Sequence, residues 1–550
     1  MIAPMIRDAS AGRAPGSRPV AFLRRHLPLL LVLAVIAPAY LAWSGTAQMG
    51  KFASDGPNYL MMARHFAHPL ARDVSAQVAA ASRFPPLYPL ILAWSGAAED
   101  LRLVHAVTTA AFLLALVVLY AWLRGRGIDP TRAAIAVLLS AALPQSWLLG
   151  LMVQSEYLYL FWSLLALTLL CACDDARGHV RHERPGGEIR RELPGGGSRH
   201  EFLYAAALAV AAAALTRAIG VALLVPLMLV AWRAPPRRAA AALAIGLAPV
   251  AVWHLLHHAP DGYASQLLDI YQRAPLPVVL LAQLRRELPA LQSGFLENFG
   301  GVAALAPALV VLEAACLAAA AWRVVQRRPD AAYLAAYAAI LLIWPFPEEA
   351  GRFLWVIVPV LAAQPMLALA EWTRPAGGRL AAGVSAAIGA LVLAGAVPCL
   401  ARAAERMEAA AHSPLPDARG YVAWYQPDFD RARIEVRAEM VIVEDLRQLA
   451  PLIPMTDCVL AVRPELVSFY AGRRGMPVPL NSVPDPEFHQ RLRASGCRLV
   501  FMSTRTDSDY PDVLHPLARL GDDLDVLYYN AMPNPPGTTQ YIICMLARMK

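Results

Sequence analysis

Apolar runs close to the length of a bilayer crossing recur along this chain, separated by short loops rich in arginine. About 20 apolar residues span a hydrocarbon core as one helix, and a backbone in lipid must satisfy its own hydrogen bonds. The chain is 58% hydrophobic and 16% charged, where a soluble protein carries about 25% charged residues. The expected fold class is a polytopic α-helical membrane protein with about eleven transmembrane helices. Spans are expected at 27–43, 101–123, 133–149, 156–173, 239–256, 301–322, 331–345, 353–370 and 380–400. The run 202–232 supplies two more as short helices, because one helix of that length overshoots a bilayer and Thr216-Arg217 interrupts it.

Arginine excess marks cytoplasmic loops. That rule puts the N-terminus, with Arg7, Arg13, Arg18, Arg24 and Arg25, inside. The run 27–43 resembles a signal sequence, with Gly45-Thr46-Ala47 as a cleavage site, but its length and the many later spans favour an uncleaved helix. The loop 44–100 then lies outside, and 86–97 within it is too short to cross. Residues 174–200 form a Gly- and Arg-rich cytoplasmic linker, and 257–300 a second external loop with an amphipathic piece at 265–273. Residues 1–400 make the membrane domain, and 401–550 read as a soluble α/β domain on the outer, periplasmic face. Strands are expected at 458–462, 498–503, 524–529 and 541–546, and helices at 434–449, 465–471 and 486–494. No N-x-S/T sequon occurs, which fits a bacterial inner membrane.

The net charge of +8 is almost all arginine, since Lys51 and Lys550 are the only lysines. No RNA- or DNA-binding motif accompanies it, so nucleic acid is not an expected partner. The seven cysteines have no zinc-ligand spacing. Cys458 and Cys497 each open a strand and either pair or stay as buried thiols. The trio His254, His257 and His258 reads as an interfacial helix end rather than a metal site, and Arg64 and His65 as the polar face of a helix resting on the membrane. No metal ligands are assigned and no cofactor is called for, although a divalent ion stays open.

This topology gathers charges of both signs at the outer edge. Asp55 and Arg83 lie in the first loop, Glu156 opens the fourth span, Arg217 breaks the short pair, and Glu348, Glu349 and Arg352 precede the tenth span. Carboxylates and guanidiniums together suit a reaction in which a phosphate leaves and a hydroxyl loses a proton. Ser54 or Asp55 also suits a helix cap, with Pro57 in the first turn. Glu348 and Glu349 read as loop charges.

The loop S-D-G-P-N-Y-L-M-M-A-R-H-F-A with R-F-P-P-L-Y-P-L resembles that of the GT-C glycosyltransferases, among them the protein O-mannosyltransferases and the bacterial aminoarabinose transferases. Q-S-E-Y-L-Y-L, L-T-R-A-I-G, R-F-L-W-V-I-V-P-V and the C-terminal V-R-P-E-L-V-S-F-Y-A-G-R-R follow in the family's order. The resemblance implies transfer of a monosaccharide from a polyprenyl-phosphate donor on the outer face. It implies Asp55 as the catalytic acidic residue, which the chemistry casts as the base. The residue chemistry itself makes Arg217 and Arg352 the groups that hold the phosphate, with Arg83 a further substrate-binding group, and Glu156 a group that positions the acceptor or anchors an arginine. Membrane lipids and a glycan, lipid or protein acceptor are the implied partners. Many members carry a second acid after the first; here that position is Gly56. A flippase for a lipid-linked saccharide and a non-catalytic envelope-assembly protein are the competing readings. The first predicts internal repeats and ionisable residues within spans.

Overall fold

The structure is a computed structural model that describes residues 18–52, 54–181, 199–257, 271, 275–344, 347–372, 377–426, 428–479, 483–503, 519–520, 523–532 and 541–550. Helices cover most of each expected span, although the expected count of eleven crossings is not reproduced. Seven helices are long and apolar enough to cross a membrane, or eight if the pair Pro130–Ala142 and Pro144–Gly150, bent by 60°, counts as one. The bend has a local cause. Leu143 precedes a proline and takes φ −57, ψ 128, because the proline ring excludes the helical region for the residue before it. Glu201–Thr216, Ala218–Ala231 and Pro329–Leu342 are apolar but only 10–17 residues long. The break in 202–232 falls at Arg217, which is extended (φ −147, ψ 138) and leads into a 3-10 stretch, Ala218–Leu223.

The bundle is layered by burial. The most apolar window of Ala350–Trp372 is 78% buried and that of Glu156–Asp174 67%, whereas Pro236–Leu256 is 11% buried. The first two are central; the last is peripheral. Aromatic rings fill the centre, with Phe112 stacked on Tyr157 and Trp355 against both.

The region 257–300 differs from its expected form. The piece at 265–273 lies almost entirely outside the described residues, as do 182–198 of the linker and His258. Leu276–Asn298 is a 23-residue helix rather than a loop. Its buried Gln283, Glu287 and Asn298 disguise it as polar loop sequence. It lies against Ala350–Trp372 at a contact of bare backbone: a Cβ on Gly294 would sit 2.6 Å from the amide nitrogen of Gly351. Asn298 Nδ2 closes the contact by donating to the carbonyls of Gly294 (2.7 Å) and Gly351 (2.9 Å). Small residues permit such approach, and a side-chain amide then satisfies the exposed carbonyls.

The C-terminal domain is a five-stranded sheet packed on the helix Phe429–Leu449. Its strands are β1 (Cys458–Ala461), β2 (Arg474–Pro477), β3 (Leu499–Ser503), β4 (Leu524–Met532) and β5 (Tyr541–Met549). They run in the order β2-β1-β3-β5-β4. β1 pairs in parallel with β2 and β3, and β5 is antiparallel to β3 and β4. β2 is absent from the sequence reading, since R-G-M-P has neither alternation nor β-branched residues. Cys458 and Cys497 form a disulfide.

The domain is fixed to the first loop. Phe52 of that loop is 3% exposed and belongs to the domain's apolar core beside Ile442, Val459 and Leu466. Asp417, just past the last helix, accepts from Thr46 Oγ1 (2.6 Å) and the Ala47 amide (3.0 Å). The soluble domain therefore sits directly over the loop and the nearby helix ends.

Candidate active site

Asp55 precedes the helix Gly56–Ala67, whose first turn holds Pro57. The cap expected of its side chain does not form: Asp55 makes no capping hydrogen bond. The Ser54 hydroxyl accepts the Gly56 amide instead, at 3.2 Å. Asp55 is left to point elsewhere. Gly56 itself has little spare room, since a Cβ there would meet Met49 Sδ at 2.9 Å. A second acid at this position would have to displace that methionine.

Arg352, in the first turn of Ala350–Trp372, joins three carboxylates. Its Nη2 donates to Asp55 Oδ2 at 3.2 Å, and its Nε lies 3.0 Å from Glu156 Oε1 and 3.1 Å from Glu349 Oε2. Arg217, at the helix break, places Nη1 2.6 Å from the same Glu156 oxygen and donates to Ser155 Oγ at 3.3 Å. Tyr59 shares a 2.9 Å hydrogen bond with Ser155. Both guanidiniums lie over the Phe353 ring, at 5.2 and 5.1 Å, within cation–π range. Asp55, Glu156, Arg217 and Arg352, drawn from distant parts of the chain, thus meet. Arg83 lines the same pocket with its guanidinium 5.7 Å from the Phe84 ring.

Glu156 is fully buried beneath the two arginines and does not border the pocket. Of its two expected roles, the structure supports the anchoring of arginines. Glu349 is part of the hub rather than a loop charge. The side chain of Glu348 lies outside the described residues. Arg64, expected on the polar face of a membrane-resting helix, pairs with Glu99 at 3.1 Å and lies 4.8 Å over the ring of Phe469 in the C-terminal domain. His257 stacks on Trp253 at 3.7 Å. Among the described residues, no group of three or more His, Cys, Asp or Glu is arranged to hold a metal ion.

Above the hub is a pocket of about 560 Å³. Its membrane side includes Asp55, Arg83, Arg217 and Arg352; its other wall is C-terminal domain, with Arg463, Glu465 and Arg474. Five arginines and three carboxylates (Asp55, Glu349 and Glu465) line it, a positive excess suited to an anion. Sequence reading missed Arg463, Glu465 and Arg474. The only signal was that V-R-P-E-L-V-S-F-Y-A-G-R-R was already set apart as a motif. Burial alone would raise the Asp55 carboxyl. The fields of Arg352, Arg463, Arg217 and Arg83 outweigh it and hold Asp55 below the usual carboxylate range. Burial likewise favours a neutral Glu349, and Arg352 and Lys51 pull it below its ordinary value. Both stay ionised at neutral pH.

No family model matches the chain, and no curated protein matches it. Among solved structures it is similar to ArnT from Cupriavidus metallidurans bound to undecaprenyl phosphate, at 14% identity and TM-score 0.47, covering 94% of this chain and 97% of that one. It is also similar to the oligosaccharyltransferase AglB from Archaeoglobus fulgidus in complex with an inhibitory peptide and a dolichol-phosphate. There the identity is 13% and the TM-score 0.45, over 94% of this chain and 74% of that one.

Proposed function

We propose that this protein is a membrane glycosyltransferase. It moves a monosaccharide from a polyprenyl-phosphate donor to a glycan, lipid or protein acceptor, by inverting displacement on the face that carries the C-terminal domain. That face is the periplasmic side of a bacterial inner membrane in this reading. The observation that carries the proposal is Asp55, held by Arg352, on the wall of an arginine-lined pocket at the ends of membrane helices.

The chemistry follows from the geometry. Phosphate is already a good leaving group, so one base for the acceptor hydroxyl suffices. Arg352 donates to Asp55 Oδ2, and Oδ1 accepts no hydrogen bond among the described residues, so Oδ1 is the oxygen that takes the proton in this reading. As the hydroxyl attacks the anomeric carbon, its proton passes to Asp55 and the C–O bond to phosphate breaks. Arg217 uses Nη1 on Glu156 and Ser155. Its Nε and Nη2 edge donates no hydrogen bond among the described residues, and that planar edge matches two phosphate oxygens. Fixed guanidiniums then stabilise the charge that develops on the leaving phosphate. Glu156 keeps both guanidiniums oriented without touching substrate.

The test is transfer by purified protein from a panel of radiolabelled polyprenyl-phosphate sugars. Asp55→Asn, which preserves shape, is expected to lower kcat by about 10³-fold, within the usual reach of general-base removal. Equal rates for wild type and Asp55→Asn would overturn the base assignment.

A further inference from the structure

We infer that Arg463, in the C-terminal domain, is a positioning residue that sets the Asp55 turn, so that this domain builds the reaction centre rather than merely covering it. This rests on the glycosyltransferase reading of the pocket. Arg463 follows β1 and begins the turn Pro464–Leu466. Its Nη2 crosses to the first loop and donates to the Ser54 carbonyl at 2.8 Å. That carbonyl belongs to the peptide unit immediately before Asp55. Its Nε is held by Glu465 Oε1 at 2.6 Å, which orients the guanidinium.

The turn is gripped from three directions. Phe52 is sunk in the soluble domain's core, Arg463 holds Ser54, and Arg352 holds Asp55. A carboxylate on a short loop keeps catalytic geometry only if the surrounding groups lock its backbone. Here two of the three locks belong to a domain that begins hundreds of residues later in the chain.

Arg463 also acts through charge. The groups facing Asp55 are Arg352, Arg217 and Arg83, Glu349, Glu156 and Tyr59, together with Arg463 itself. Removing one cation from that set raises the carboxyl towards its ordinary value; replacing it by another cation does not. A lysine, however, lacks the planar fork that reaches Ser54 and Glu465 together. Charge and placement can therefore be separated by two substitutions.

The experiment compares wild type, Arg463→Gln and Arg463→Lys in detergent, with folding checked by thermal unfolding. One arm titrates the Asp55 carboxyl by infrared difference against Asp55→Asn. The other measures kcat and KM across pH. Arg463→Gln is expected to move the Asp55 midpoint and the acid limb of kcat upward and to lower kcat by about tenfold or more, with KM within about twofold. Arg463→Lys is expected to keep the wild-type midpoint while losing kcat. An unmoved Asp55 midpoint in folded Arg463→Gln would overturn the inference, as would wild-type kcat in both variants. The infrared arm needs no turnover. If the wild type transfers no sugar, the glycosyltransferase reading fails while the hold of Arg463 on Asp55 is still measured.

Discussion

Two arginine–carboxylate clusters occupy opposite ends of the helix Ala350–Trp372, and they differ in exposure. At one end Arg352 holds Asp55, Glu156 and Glu349. At the other, Arg323 donates to both oxygens of Asp330 (3.0 and 2.8 Å) and to Gln364 Oε1 (2.8 Å), and it pairs with Glu371 at 2.8 Å. The residue types are the same. The Arg323 and Asp330 side chains are 0% exposed, and neither lines the pocket. Arg352 and Asp55 keep 11% and 17% exposure and border a cavity. The Arg323–Asp330 pair is sealed away from any cavity; the Arg352 cluster has space in front of it. Of the two clusters, only the one at Arg352 opens onto a space that a substrate can enter, and the proposed function rests on that one.

This contrast can be broken experimentally. The largest effect is expected at the open cluster. Arg352→Gln should lower transfer by about 10²- to 10³-fold, the usual cost of removing a preorganised charge donor. The protein should stay folded, because water in the pocket can solvate Asp55 and Glu349. An inactive but equally unfolded protein would mean that Arg352 is a strut like Arg323. The next effect lies at the sealed cluster. Asp330→Leu leaves Arg323 and Arg126 without their shared carboxylate and should destabilise by about 3–5 kcal/mol, read by thermal or denaturant unfolding. The rate per folded molecule should hardly change. A large drop in that rate with stability intact would erase the distinction.

The smallest effect concerns pH. Asp55 and Glu349 are depressed in the folded protein. The stability they contribute is therefore present above their unfolded values, ordinarily 3.8 and 4.5, and is lost as pH falls through the lower folded values. Activity that needs ionised Asp55 should keep its plateau down to the same region. An acid limb at about pH 5 to 6 would point to a different base.

Much of the membrane half was legible because lipid imposes a crude code. Apolar length marks a helix and arginine marks a side, a reading that puts Asp55, Glu156, Arg217 and Arg352 at one edge; in the structure their side chains meet. The helix Leu276–Asn298 escaped because its buried Gln283, Glu287 and Asn298 face protein, so its composition resembles an exposed loop. Glu349 was set aside because one carboxylate in a run of two has no visible partner in sequence. Arg463 was hidden for another reason: it meets Ser54 across a separation of 409 residues, and nothing local in either segment requires the other.

The sequence by itself determined a helical, membrane-spanning chain with a soluble α/β tail and a set of charges sorted to one side, since hydration and backbone hydrogen bonding act on every residue locally. Only the tertiary structure decided which of those charges face a cavity and which are sealed. It also decided that Ser54 rather than Asp55 caps its helix, and that the tail supplies a wall of the site. Those outcomes depend on which surfaces close-pack together, and packing is a property of the whole chain.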